Sequence, residues 1–131
     1  MQQDSIFTKI IKGELPANKI YEDDRTLAFL DIYPVQPGHT LVVPKVQVEF
    51  LWDLDDANYN AVMATTKLVA QRIKEVLNPA FVGSEVVGVD VPHAHVHIIP
   101  FSVVSEFRSI PDRSVDPDYQ ALKEMAEKLK I

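Results

Sequence analysis

The run Pro92-His93-Ala94-His95-Val96-His97-Ile98-Ile99-Pro100 constrains this chain more than any other segment. The sequence holds four histidines, and three of them stand at alternate positions within five residues. Alternation with Ala94, Val96 and Ile98 is the period of a β-strand, whose successive side chains point to opposite faces. The pattern predicts His93, His95 and His97 on one face and Ala94, Val96 and Ile98 buried on the other. Same-face neighbours on a strand lie about 6.5–7 Å apart, near enough for three imidazoles to serve one small anionic group. Imidazole is also the side chain whose unperturbed pKa, about 6.5, lies nearest neutrality. Such a row suits a phosphate, a proton or a metal ion.

With 131 residues, 47% of them hydrophobic, the chain is expected to form a single domain over residues 1–131 with a core of its own. A net charge of −6 argues against a nucleic acid polymer as partner, because such binders usually carry a basic face. It leaves room for a nucleotide pocket, where local donors outweigh the global charge. The absence of cysteine removes disulfides, thiolate zinc sites and cysteine nucleophiles. No basic-plus-apolar leader opens the sequence, and no apolar run approaches the ~18–20 residues that span a bilayer. No membrane partner is therefore expected, and the expected location is cytoplasmic.

Ser5 or Asp4 caps a short helix over Ile6–Lys12, which Gly13 ends. Lys19–Glu22 and Thr26–Asp31 read as strands split by the polar turn 22–25, and His39–Pro44 as a third. Two prolines and a glycine keep Tyr33–Gly38 irregular. A long helix runs from Asp55 or Asp56 to Leu77, stopped by Asn78-Pro79. Phe81–Val87 is a fourth strand and the histidine run the fifth. Asp116-Pro117 predicts the start of a helix over about 117–130, with Leu122, Met125, Ala126 and Leu129 as its apolar stripe. Ser102–Val115 is the segment expected to be mobile. The sum is an α+β fold: about five antiparallel strands, one short and one long helix, and an extra C-terminal helix.

Two chemical readings of the histidine face stay open on the residues alone. The cluster could ligate zinc or another transition metal, with His39 or Asp90 as a further ligand. Alternatively one imidazole attacks phosphorus while its neighbours hold the phosphate. Covalent catalysis of that kind splits one hard displacement into two, and flanking N–H donors offset the charge developing on the phosphoryl oxygens. The central member, His95, would be the nucleophile.

The string His93-Ala94-His95-Val96-His97-Ile98-Ile99 resembles the signature of the histidine triad (HIT) family. Three further stretches, Ser5–Ala17 with Tyr21–Arg25, Leu27–Ile32, and Pro37–Lys45, are also similar to that family. The likeness covers residues 4–101 and leaves 102–131 as a variable extension. It implies a HIT-like fold of the nucleoside phosphoramidase branch, paired as a homodimer around the long helix and Phe50-Leu51-Trp52. Trp52 reads equally well as a core anchor. The implied activity is hydrolysis or transfer at the α-phosphate of nucleoside 5′-phosphoramidates, acyl-adenylates or dinucleoside polyphosphates. It would proceed through a nucleotidyl-histidine, with a purine nucleotide as substrate and no cofactor or metal. By position, His95 would be the nucleophile, His97 and His39 would contact the α-phosphate, and His93 would orient the nucleophile through backbone hydrogen bonding. Asp31 would take the ribose hydroxyls, as acids do in dinucleotide folds. Ile6, Phe7, Ile10, Leu15, Phe29 and Ile32 would sandwich the purine, although their spacing alone reads as plain core.

Departures from the family pattern fall just before the triad. Val89 stands where Gln is common and Asp90 where a hydroxyl donor is common, with Ser84 as a partial substitute. An anion beside phosphate is unfavourable unless protonated or paired, so the catalytically weak, nucleotide-binding interaction protein stands as a further alternative. Some bacterial members hold structural zinc through N-terminal cysteines. Here Asp4 and Phe7-Thr8 occupy that region, and no such zinc is expected.

Overall fold

The computed structural model describes residues 2–131. Ser5 opens helix α1 (Ile6–Ile11): its Oγ accepts from the Thr8 amide at 3.0 Å, and Gly13 just past the end takes φ +80°. Strands β1 (Lys19–Glu22) and β2 (Thr26–Leu30) form a hairpin. Asp23 holds its turn, Oδ1 accepting from the amides of Arg25 and Thr26 at 2.9 Å each. β3 is Thr40–Pro44. Helix α2 (Asp56–Leu77) has Asp55 as N-cap and ends at Asn78, which adopts φ 49° immediately before Pro79. β4 (Phe81–Glu85), β5 (Val96–Phe101), α3 (Val104–Phe107) and α4 (Tyr119–Leu129) complete the chain.

The five strands form one antiparallel sheet in the order β1-β2-β3-β5-β4. Every residue of β2 and β3 is buried, because both faces of the sheet are covered there. On one face Ala28, Leu30, Val42, Val96 and Ile98 pack with Val62, Val69 and Ile73 of α2 and Leu122 and Leu129 of α4. On the other, Leu27, Phe29, Leu41 and Val43 pack under Phe7 and Ile10 of α1. The expected α+β class and strand number are those observed.

Several details differ from the sequence expectation. The histidine run is not a strand throughout: β5 begins only at Val96, so His93 and His95 lie ahead of it. The His93 amide turns back onto the Val91 carbonyl at 2.8 Å, and the Ala94 amide bonds to the Val48 carbonyl at 2.7 Å. Both amides are thus bonded to residues outside β3, and the pairing of β3 with β5 stops at Val42–Val96. Asp118, not Asp116, caps α4, its Oδ1 accepting from the Ala121 amide at 3.1 Å. The segment expected to be mobile carries α3, whose Phe107 ring lies 5.2 Å from that of Phe101. Trp52 is 70% exposed in a 3₁₀ turn (Leu51–Asp53), which excludes the core-anchor reading; Leu51 is the residue that points inward.

Gly38, at φ +97°, passes the chain into β3 where a Cβ would come 2.7 Å from Leu77 Cδ1 and 3.3 Å from Pro100 Cγ. Both backbone strain and crowding oppose a side chain there. Gly38→Ala is expected to destabilise the fold by about 2 kcal/mol in urea titrations; a loss below about 0.5 kcal/mol would contradict this account of the turn.

Candidate active site

The four histidines gather on the α1 face of the sheet. His95 and His97 ring centroids are 5.0 Å apart, and His39 and His97 are 5.2 Å apart. Phe7 of α1 places its ring against His95 at 5.1 Å and against Phe29 at 5.4 Å, both edge-on. Backbone groups assign the tautomers. The Val35 amide donates to His39 Nδ1 at 3.0 Å, so the neutral ring carries its hydrogen on Nε2. That Nε2–H faces His97 Nδ1 at 3.0 Å, which must then accept, leaving His97 with a hydrogen on its own Nε2. His95 Nδ1 lies 2.7 Å from the His93 carbonyl oxygen. A carbonyl only accepts, so Nδ1 is the protonated nitrogen of His95 and Nε2 bears the lone pair.

His95 is only 4% exposed, yet its Nε2 makes no hydrogen bond. Among the described residues no buried side-chain nitrogen or oxygen lacks a partner, so this atom is reached by solvent. The ring is sealed and its reactive nitrogen is open.

His93 is fully buried and held at both nitrogens. Nε2–H donates to the Pro44 carbonyl at 2.8 Å, and Nδ1 accepts from Ser5 Oγ at 2.7 Å. Thr8 Oγ1 and the Ser5 amide both donate to Gln47 Oε1, the latter at 2.8 Å, and Gln47 Nε2 donates to the Gln3 carbonyl at 2.7 Å. Ser5, Thr8 and Gln47 were absent from the sequence-predicted site. The helix cap signalled Ser5, but nothing local connects it or Gln47 to His93.

Burial sets the charge of the site. His39 and His97 are both pulled down to about 4, by burial in each case and for His97 also by its histidine neighbours. Burial likewise lowers His93, against the Pro44 hydrogen bond. Asp31 goes the other way: burial raises its carboxyl, and the Tyr33 amide, which donates to Oδ1 at 2.9 Å, and His97 oppose the rise. Asp31 Oδ2 stands 3.6 Å from His39 Nε2.

A HIT domain family model matches residues 12–102. The chain belongs to the HIT family. An uncharacterized HIT-like protein of Borreliella burgdorferi is 41% identical over 104 residues, covering 74% of this chain and 75% of that protein. An adenosine 5′-monophosphoramidase of Saccharomyces cerevisiae is 36% identical over 96 residues, covering 72% of this chain and 61% of that protein. The crystal structure of a Hit-like protein from Bartonella henselae matches with a TM-score of 0.84 at 29% identity, covering 98% of this chain and 96% of that one. Among the described residues no helix is long and apolar enough to cross a membrane.

The remaining residues expected in the HIT site divide. Phe7, Ile10 and Phe29 are buried together beneath α1, whereas Ile6 and Leu15 expose apolar surface. Ile32 lines a cavity of about 130 Å³ with His39, Leu30, Leu122 and Met125, which joins the histidine site to α4 and does not include Phe7 or Phe29. Ser84 pairs with Ile98 and therefore shares the α2 face; Glu85, which pairs with His97, is the residue across from the triad. The strand pattern placed both in β4, but only the register tells which one faces the histidines. Val89 and Asp90 are exposed on the connection ahead of His93, and Asp90 is ion-paired with Arg113 at 3.2 Å. Of the two conditions that would make an anion tolerable beside a phosphate, protonation or pairing, Asp90 meets the second.

Asp31, His39 and His97 bring one donor atom each within 4.8 Å of one another, the arrangement closest to a metal site. The donor chemistry does not fit a cation. The Val35 amide occupies His39 Nδ1, so the atom facing Asp31 and His97 is an N–H, and a metal there would require an imidazolate. The largest cleft, about 590 Å³ beside Tyr21, Arg25 and Leu68, is lined by none of the histidines.

The buried rings make stability depend on pH with a definite sign. Unfolded, His39 and His97 bind protons near 6.5; folded, they refuse them until about 4. The unfolded chain therefore binds more protons in that window, so stability is full above about 6.5 and declines as pH falls towards 4. His39 alone accounts for on the order of 3 kcal/mol. Urea midpoints are expected to drop across this range, and His39→Gln to reduce the slope by about half; a slope unchanged by His39→Gln would contradict the assignment.

Proposed function

We propose that this HIT protein cleaves the bond between a nucleoside 5′-phosphoryl group and its leaving group, passing the nucleotidyl group through His95 to water. The observation that carries the reading is the one open nitrogen of the triad that bears a lone pair: His95 Nε2, in a ring whose hydrogen the His93 carbonyl holds on Nδ1. Neutral imidazole is a competent nucleophile without an auxiliary base. In the first step a bond forms from Nε2 to phosphorus, the bond to the leaving group breaks, and the departing group takes up a proton from solvent water at the open face of the site. The ring becomes cationic, and its Nδ1–H strengthens its bond to the His93 carbonyl. Water then attacks phosphorus, displaces His95 and yields the nucleoside monophosphate.

His97 offers its Nε2–H to the phosphoryl oxygens or the leaving atom. His39 has both ring nitrogens engaged, so in this reading it acts on phosphate through His97 and not by direct contact. Donors fixed before the reaction need no reorganisation as charge develops. Asp31, beside this relay, takes the ribose hydroxyls, and the purine lies over Phe7 between the exposed surfaces of Ile6 and Leu15. The phosphoramidase among the relatives supports an amine leaving group and an adenine base.

With no metal in this scheme, hydrolysis of adenosine 5′-phosphoramidate should survive dialysis against a strong chelator, whereas a metal-dependent hydrolase would stop and recover with zinc. His95→Ala and His95→Gly should each lower kcat/KM by on the order of 10³-fold or more, and quenching in alkaline denaturant, where a phosphorus–imidazole bond survives, should trap a nucleotidyl adduct on the unaltered chain only. Turnover retained in either variant would remove His95 from the role. Nucleotide binding in calorimetry with no turnover of any substrate would instead favour the interaction-protein reading.

The homodimer is part of the same proposal, with a different edge from the one expected. Phe50 and Trp52 lie on a turn, not on a strand. The Ile131 amide bonds to the Ile20 carbonyl at 2.9 Å and so occupies β1, while β4 is the opposite edge strand and exposes Phe81. Continuation of the sheet through β4, beside Lys67 and Ala70 of α2, predicts a dimer in sedimentation that Phe81→Asp dissociates.

A further inference from the structure

The segment beyond the HIT domain match carries an arginine to the edge of the site. Residues 103–115 are fastened to the connection that precedes β3: Gln36 Nε2 donates to the Glu106 carbonyl at 3.2 Å, and Ser109 Oγ donates to the Val35 carbonyl at 3.4 Å. Val35 is also the residue whose amide sets the His39 tautomer. Asp112 Oδ1 accepts from the Ser114 amide at 3.0 Å and from Ser114 Oγ at 2.6 Å, which shapes the turn presenting Arg113. Arg113 Nη2 meets Asp90 Oδ2 at 3.2 Å, three residues before the first histidine of the triad. The two charges act on opposite members of the site: burial raises the Asp31 carboxyl and Arg113 opposes that rise, while burial lowers the His97 ring and Asp90 opposes that fall.

A site built this way has an electrostatic gap. His39 and His97 are neutral at pH 7, Asp31 is acidic, and the whole chain carries −6. Neutral N–H donors match the one charge of a phosphoramidate monoester. They do not match a leaving group that brings a second negative charge into the same space. A guanidinium binds phosphate or sulfate oxygens through two parallel hydrogen bonds, and an exposed ion pair such as Arg113–Asp90 exchanges partners at little cost.

We propose that Arg113 is a specificity-determining residue, which leaves Asp90 to bind the anionic leaving group of a substrate such as a nucleotidyl sulfate or a nucleoside polyphosphate. Asp90 keeps the guanidinium at the rim until such a substrate arrives, and it competes with that substrate for the same donors. The inference rests on the nucleotidyl-transfer reading above and extends it to the class of leaving group.

The test compares kcat/KM for two substrates sharing one adenosyl group, adenosine 5′-phosphoramidate and adenosine 5′-phosphosulfate. Arg113→Gln is expected to lower the ratio of sulfate to amide turnover about tenfold, mainly through KM, with Arg113→Lys intermediate. Asp90→Asn, which frees the guanidinium, is expected to raise the ratio. A ratio that Arg113→Gln leaves unchanged, whether both rates fall together or neither moves, overturns the assignment. Absence of turnover of both substrates by the unaltered protein overturns the underlying activity, and the proposal with it.

Discussion

The hydrogen bond from His95 Nδ1 to the His93 carbonyl, 2.7 Å long, is the constraint on which the site depends. It ties a side chain to the backbone two residues earlier, and so requires that the chain leave strand geometry between them. Pro92 precedes the departure, the Val91 and Val48 carbonyls take the amides of His93 and Ala94, and β5 begins at Val96. The His93 ring supports the same peptide from below, gripped by Pro44 and Ser5. An N-cap serine, a strand-ending proline and a local break in the sheet thus converge on one imidazole nitrogen. Losing any of them lets the ring rotate or the tautomer exchange, and the lone pair then no longer has a defined direction.

Burying four imidazoles is what gives them fixed roles, and it works against the fold in acid. Removal from water disfavours the charged forms of His39, His93 and His97, so His39 and His97 stay neutral at pH 7 and offer one donor and one acceptor apiece. The orientation passes along a chain: Val35 amide to His39, His39 to His97, and from His97 outward. A protonated ring at either place would break the relay, because both nitrogens would then donate. The low-dielectric surroundings that suit nucleophilic attack on phosphorus leave any second substrate charge unmatched. Arg113 and Asp90 lie at the rim, where water still screens them and a guanidinium keeps its freedom to exchange partners.

Much of the architecture was legible because it is locally encoded. Asp55 and Asn78-Pro79 bracketed α2 with the residues that satisfy or terminate a helix end, and the short apolar runs in Thr26–Leu30 and Thr40–Pro44 marked strands that the sheet buries on both faces. Errors arose where two local signals competed or where only pairing decides. Asp116-Pro117 is a sound start signal, but Asp118 reaches the free amide. Trp52 is large and apolar, yet Leu51 beside it fills the core. Ser84 has the right chemistry for a phosphate donor, but one step in register sends it to the far face and puts Glu85 beside His97. Ile32 sits next to Asp31 in sequence and against α4 in space.

The residue types themselves determined what chemistry is available: three alternating histidines, a fourth near Asp31, no thiol, and a family signature around them. These follow from composition and short-range spacing, which survive in any conformation of the chain. Which nitrogen of each ring carries the proton was decided only by the tertiary structure. For His93 and His97 that choice rests on partners far apart in sequence, Ser5 with His93 across 88 positions and His39 with His97 across 58; for His95 and His39 it rests on near neighbours that only the folded backbone brings into line. An imidazole has two chemically similar nitrogens, and no pattern along the chain distinguishes them. The carbonyl, amide or hydroxyl that folding places against one of them does.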